Sequence, residues 1–136
     1  MASNLKYSIA QKAAQQNALT TVLGSGALLL IYAGTQPATP DTAATGSTLL
    51  ATLTCATPFA PTTTTATLTL GTITGANAVA AGTAAWYRIT TSAANGNVAH
   101  IDGTVGTTAS DLILTNTNIA VGQAVSVSSS TYSNAQ

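Results

Sequence analysis

The chain has 136 residues and a formal net charge of +0, and only 4% of its residues are charged, against roughly 25% in an average globular protein. The charges are Lys6, Lys12, Arg88, Asp41, Asp102 and Asp111, with no Glu at all. Three basic side chains cannot neutralise a run of phosphates, which argues against nucleic acid as a partner. One His and one Cys leave too few groups for paired acid–base work or a metal centre, so neither catalysis nor a cofactor is expected.

This length fits one domain with one core. Hydrophobic residues make up 46%, but 27 of them are Ala and aromatics are only 4%. Core volume must therefore come from Leu, Ile and Val. The 27 Thr favour strands, because a branched Cβ packs well on a pleated surface. Near-zero net charge removes the repulsion that keeps soluble copies apart. Such a surface suits dense packing against a partner or beside other copies.

Taken in chain order, the first element reads as a helix from Asn4 to Leu23. Ser3 or Asn4 can cap it by accepting from the first free amides. Leu5, Ile9, Ala13, Gln16 and Leu19 or Thr20 recur at helical spacing, and Val22 and Leu23 close the pattern. Gly24 and Gly26 stop it. The apolar stripe is thin, so the helix needs a partner surface. Residues 1–26 thus read as a helical arm and 27–136 as a β domain. The apolar run at Ala27 to Ala33 is too short to span a bilayer. A polar stretch precedes it, so neither a membrane anchor nor a signal peptide is read here.

Ala27 to Tyr32 is a buried strand. Gly34 to Ser47 is a long loop holding Gln36, Pro37, Pro40 and Asp41, kept out of a sheet interior by its prolines. Thr48 to Ala56 is a second strand, with Leu49, Ala51, Leu53 and Cys55 expected on one face. That places Cys55, the only cysteine, in the core as a small apolar residue. Thr62 to Ile73 alternates over its second half, and Ala76 to Gly82 reads as a linker. In Ala84 to Thr91, Trp86, Arg88 and Thr90 share one face, and Tyr87 and Ile89 the other. Asn95-Gly96 signals a tight hairpin turn, with Val98 to Val105 returning as the partner strand. Asp102-Gly103 is a second turn or a bulge. Leu112 to Leu114 and Val121 to Val127 supply two more strands, and the polar tail Ser128 to Gln136 is expected to fray. The sum is a mainly β protein: a single β-sandwich or compact barrel of about seven short strands with an N-terminal helix or arm.

Few residues invite chemistry. His100 and Asp102 lie two apart and share a face if their strand is regular, which is enough for a hydrogen bond but not for a triad without a nucleophile elbow. Gly103-Thr104-Val105-Gly106 has no Lys and precedes no helix, so it is no phosphate loop. Arg88 is expected to make either a partner contact or an ion pair with an Asp. Candidate partner contacts are Leu5, Ile9, Gln36, Pro37, Pro40, Asp41 and Arg88.

Two stretches carry a family resemblance: Leu30 to Thr54 (LIYAGTQPATPDTAATGSTLLATLT), and Ala84 to Val127 with AAWYRI, HIDGTVG and SDLILTN. Together they resemble a family of small virion structural proteins of tailed bacteriophages. The resemblance implies a capsid decoration, or cement, protein on the outer surface of the phage head, made in the host cytoplasm. Its partners would be the major capsid protein and other copies of itself, with no membrane and no small-molecule substrate. A tail or head–tail connector protein is the nearest alternative. From another class, a secreted β-sandwich adhesin or carbohydrate-binding module would want exposed aromatics.

Overall fold

The computed structural model describes residues 4–127 and 130–133. The chain is mainly β with one N-terminal helix, α1, spanning Ile9–Leu23. The helix begins later than its sequence pattern suggests. Ser8, not Asn4, is the cap: its backbone is extended, and its Oγ accepts from the Gln11 N–H at 3.1 Å. Ser3, the other expected cap, lies outside the described residues. Gly24 ends the helix at φ 66° and donates its N–H to the Thr20 carbonyl. Of the expected stripe, Ala13, Gln16 and Leu23 are buried, while Leu5, Ile9 and Val22 face solvent.

Eleven strands follow among the described residues: β1 (Leu28–Ala33), β2 (Thr48–Thr54), β3 (Thr67–Thr69), β4 (Ala76–Asn77), β5 (Gly82–Thr83), β6 (Trp86–Thr90), β7 (Ala99–Gly106), β8 (Leu112–Ile113), β9 (Asn118–Ile119), β10 (Ala124–Val125) and β11 (Thr131–Ser133). The expected count of about seven is too low, because very short strands leave little periodicity to read. Ala76 to Gly82, expected as a linker, instead holds β4 and the start of β5. Thr62 to Ile73 condenses to β3. The expected fraying of the tail is also corrected in part: Ser130 is buried, and β11 pairs with β3. Residues 128, 129 and 134–136 of that tail lie outside the described residues.

One five-stranded sheet, in the order β2-β1-β6-β7-β8, organises the molecule. Its pairings are antiparallel except β7 with β8. Three antiparallel two-strand ladders, β3–β11, β4–β10 and β5–β9, accompany it. The core joins Leu29, Ile31, Leu53 and Ile89 of the sheet to Leu68, Ile119 and Val125 of the ladders, and Leu23 of α1 enters it fully buried. The helix is also tied down by a two-point clamp. The Asn17 side chain donates to the Thr63 carbonyl and accepts from the Thr63 N–H, both at 2.9 Å.

Two bulges decide which side chains share a face. Ile31 pairs with Ala51 but Tyr32 pairs with Leu49, which leaves Leu50 as the extra residue. A bulge interrupts strict alternation, so Leu50 and Ala51 are both buried and Leu49 is turned away from the core. The expected grouping of Leu49 with Ala51 and Leu53 therefore fails, while Cys55 is buried as read. On β7, Ile101 pairs with Ile89 but Ala99 pairs with Thr90, and His100 is the extra residue.

The outer edge of β2 is occupied at Leu50 and Thr54. Thr54 and Thr74 exchange backbone hydrogen bonds of 3.3 and 2.8 Å, and the Val79 N–H donates to the Leu50 carbonyl at 2.8 Å. Between β6 and β7 the chain makes a short 3-10 turn, Ala93–Asn95, closed by Gly96 at φ 85°. The hairpin is therefore real, but Asn95-Gly96 is not its two-residue turn. Asp102 and Gly103, expected at a turn or bulge, lie within the run of β7.

Candidate protein-binding face

The face of the sheet turned away from the core follows from these bulges. Leu29 and Ile31 point into the core, so Leu28, Leu30 and Tyr32 point out. Their cross-strand partners Thr52 and Leu49 on β2, and Thr90 and Arg88 on β6, extend the same surface. These residues form the floor of a groove of about 450 Å³. Ala44 of the β1–β2 loop and Ala93 of the 3-10 turn line it as well. Three of these seven floor residues are leucines, and they are half-buried rather than sealed.

Tyr32 and Arg88 of this floor belong to a column of planar groups. Tyr32 stacks on Trp86 with ring centroids 4.4 Å apart and planes 10° from parallel. The Arg88 guanidinium lies 5.3 Å from the Trp86 ring centroid, within the range of a cation–π contact. Arg88 Nε and Nη2 then donate to the two Asp102 carboxylate oxygens, both at 2.7 Å. This is a bidentate pair, with side chains only 8% and 3% exposed. Of the two roles expected for Arg88, the geometry realises the ion pair with an Asp. Hydrogen bonding to Asp102 holds the guanidinium above its already high ordinary pKa. Burial pushes the Tyr32 phenol up.

Trp86 itself is 1% exposed, yet it belongs to this outer face and not to the main core cluster. Its indole N–H donates to Ser47 Oγ at 3.3 Å, and Ser47 Oγ in turn donates to the Thr35 carbonyl at 3.0 Å. Together they close the neck of the loop from Gly34 to Ser47. Gly34, at φ 105°, helps: a Cβ there would stand 3.2 Å from Ser47 Oγ. The loop is thus an Ω-type excursion between paired residues Ala33 and Thr48. Gln36, Pro37 and Pro40 sit half-buried on it, and Asp41 is exposed.

The structure therefore brings Gln36, Pro37, Pro40 and Asp41 together on one loop beside the groove, with Arg88 in the groove floor. It does not bring Leu5 and Ile9 there. No residue of α1 lines the groove. The helix packs instead against β3.

The remaining reactive groups are occupied elsewhere. Asp102 serves Arg88, not His100, because the bulge at His100 breaks the regular alternation on which their shared face depended. Asp111 Oδ2 accepts from the Thr104 N–H and hydroxyl, each at 2.8 Å, and these bonds hold its carboxyl below the usual range. Burial pushes the Cys55 thiol up to about 11. Among the described residues no three of His, Cys, Asp and Glu come together as a metal cluster would require, and no helix is long and apolar enough to cross a membrane.

The loop content of this face, with its prolines and its one Asp, was readable from the sequence. The groove was not, because it depends on the Leu50 bulge that turns Leu49 outward. Comparison with protein-family models, curated proteins and solved structures gives no match for this chain.

Proposed function

We propose that this chain is a structural protein of a tailed-phage particle that decorates the outer head lattice and ties its subunits together. One observation carries the reading: a groove whose one floor charge, Arg88, is already neutralised by Asp102, beside a loop whose one charge is Asp41. Such a face recognises a protein by shape and apolar contact. Trp86 is sealed and stacked on Tyr32, and Arg88 and Asp102 are already joined. The resemblance of Leu30 to Thr54 and Ala84 to Val127 to phage virion proteins supplies the partner. The major capsid protein would meet the exposed loop around Gln36, Pro37, Pro40 and Asp41, and neighbouring copies would complete the layer. This reading takes the fold as a compact β-sandwich in which the small ladders and α1 form the second layer.

The mechanism is mass action. A protein that binds only the assembled lattice stabilises it as a ligand stabilises a fold, and weak contacts to adjacent subunits add through effective concentration. With so few charges, binding should change little between low and high salt.

The test mixes purified protein with undecorated expanded heads. Co-sedimentation at a stoichiometry comparable to that of the capsid subunit, with heads that resist heat better than bare ones, supports the reading. Six or twelve copies per particle would assign the protein to the connector or tail. No binding to any virion part would sink it.

A further inference from the structure

The side of α1 that faces the body of the protein is not apolar along its length. Ala13, Gln16, Thr20 and Leu23 follow one another at steps of three and four residues, the spacing of one helical face. Ala13 and Leu23 are buried, and Gln16 is only 6% exposed. The middle of this seam is therefore polar. Gln16 Oε1 and Thr20 Oγ1 are both buried and find no hydrogen-bond partner among the described residues. They stand one turn apart, yet they do not bond each other. Nor does the Thr20 hydroxyl bond back to its own helix, as the Thr21 hydroxyl does to the Asn17 carbonyl at 3.5 Å. The Asn17 clamp on Thr63 holds the helix down at the same turn.

We infer that Gln16 and Thr20 hold one ordered water in the seam between α1 and the body. Buried polar atoms in folded proteins are paired with protein or with water, and a stranded one costs more than an ordinary hydrogen bond contributes. An amide oxygen only accepts, whereas a hydroxyl both donates and accepts. A water between them donates one proton to Gln16 Oε1 and accepts the Thr20 hydroxyl proton on its own oxygen. Two polar partners meet the minimum that a buried water needs, and neighbouring polar groups that do not bond directly are the setting for such a bridge. The site does not suit a cation: α1 has no acidic residue, its one charge is Lys12, and the described residues hold no cluster of metal-ligating groups. The bridge also sets the register of the helix. Ala13 and Leu23 offer apolar surface that tolerates sliding, while a bridged polar pair fits one position only. None of this rests on the phage reading.

The experiment uses the full chain. Its crystal structure should show a water about 2.8 Å from both oxygens. Thr20→Val keeps the branched shape and removes the hydroxyl. It should lose the water and raise the unfolding equilibrium constant roughly fivefold in urea denaturation, and Gln16→Met should do much the same. The two together should cost less than the product of the single effects, because one shared water is lost only once. Should Thr20→Val fail to fold, Thr20→Ser, which keeps the hydroxyl, should retain the water that Thr20→Ala loses. A Thr20→Val chain more stable than the parent overturns the inference, because the hydroxyl would then be stranded in a dry seam. Crystal density empty between the two oxygens overturns it as well, and so do single effects that simply multiply.

Discussion

Gly103 on β7 pairs directly with Tyr87 on β6, and the phenol ring occupies the space that a side chain at position 103 would need. A Cβ there would stand 2.6 Å from Tyr87 Cε1 and 2.7 Å from its hydroxyl. The ring cannot yield easily: Tyr87 is buried, and its hydroxyl meets that of Tyr132 at 2.9 Å. Gly103→Ala should therefore destabilise the fold by about 1–3 kcal/mol through overpacking. Thermal unfolding followed by circular dichroism measures it. An unchanged melting temperature would mean that the ring has room to move.

The Tyr87–Tyr132 hydroxyl pair fastens β11 to the main sheet. Replacing either tyrosine by Phe strands the other hydroxyl and should cost about 1–3 kcal/mol. The double replacement should cost less than the sum, because no orphan remains. A urea-denaturation cycle over the four proteins reads the coupling, and strictly additive losses would deny the contact.

Alkaline pH should weaken the protein through groups that the fold keeps protonated. The Cys55 thiol titrates at 9.0 when unperturbed and is pushed up to about 11 by burial. The phenols of Tyr87 and Tyr132 are likewise raised, chiefly by burial. The unfolded chain then binds fewer protons than the folded one above pH 9, so stability falls as pH rises, by up to about 1.4 kcal/mol per pH unit for each such group. The slope sets in about one pH unit below the unperturbed thiol pKa of 9.0 and is nearly absent under that. Denaturation midpoints at pH 8, 9, 10 and 11 test this, and Cys55→Ala should flatten the part between 9 and 11.

Breaking the buried ion pair from one side should be costly. Arg88→Ala or Asp102→Ala each leaves an uncompensated charge on or under the groove floor, at about 3–5 kcal/mol. The joint Arg88→Met, Asp102→Leu replacement should lose much less. Trp86, the only tryptophan, reports the change directly, since Arg88 faces its ring: its emission should shift in either single variant. Single variants as stable as the parent would contradict the pairing.

Leu23→Ala should cost about 2–5 kcal/mol, since Leu23 is fully buried in the core. Ile9→Ala should stay within about 0.5 kcal/mol, because that side chain meets solvent in the single molecule. Equal effects would mean that the two ends of α1 are packed alike.

The sequence made the long strands legible because Leu, Ile and Thr alternate over enough residues to show a period. The two faces of Trp86 to Thr90 are as the alternation predicts. The helix was legible in its buried residues but not in its start, since Ser3, Asn4 and Ser8 offer the same capping chemistry. The two-residue ladders left no periodic trace. The bulges at Leu50 and His100 were hidden for a different reason: a bulge is fixed by the neighbouring strand, and no residue type marks these two. The Asn17–Thr63 clamp, spanning 46 positions, is a tertiary fact that local pattern cannot carry. For the binding face, the loop was visible and the groove was not.

The covered edge of β2 bears on how such a neutral chain can be crowded safely. Exposed strand edges are templates for runaway sheet growth, and a protein without net charge has no colloidal repulsion to slow it. Here Thr74 and Val79 already occupy backbone groups along the outer side of the longest hairpin, and the opposite end of the sheet closes with a strand of only two residues. Where Thr74 and Val79 sit on β2, a neighbouring copy meets side chains, whose fit can be sorted and undone, and not a free backbone ladder that could propagate into fibrils.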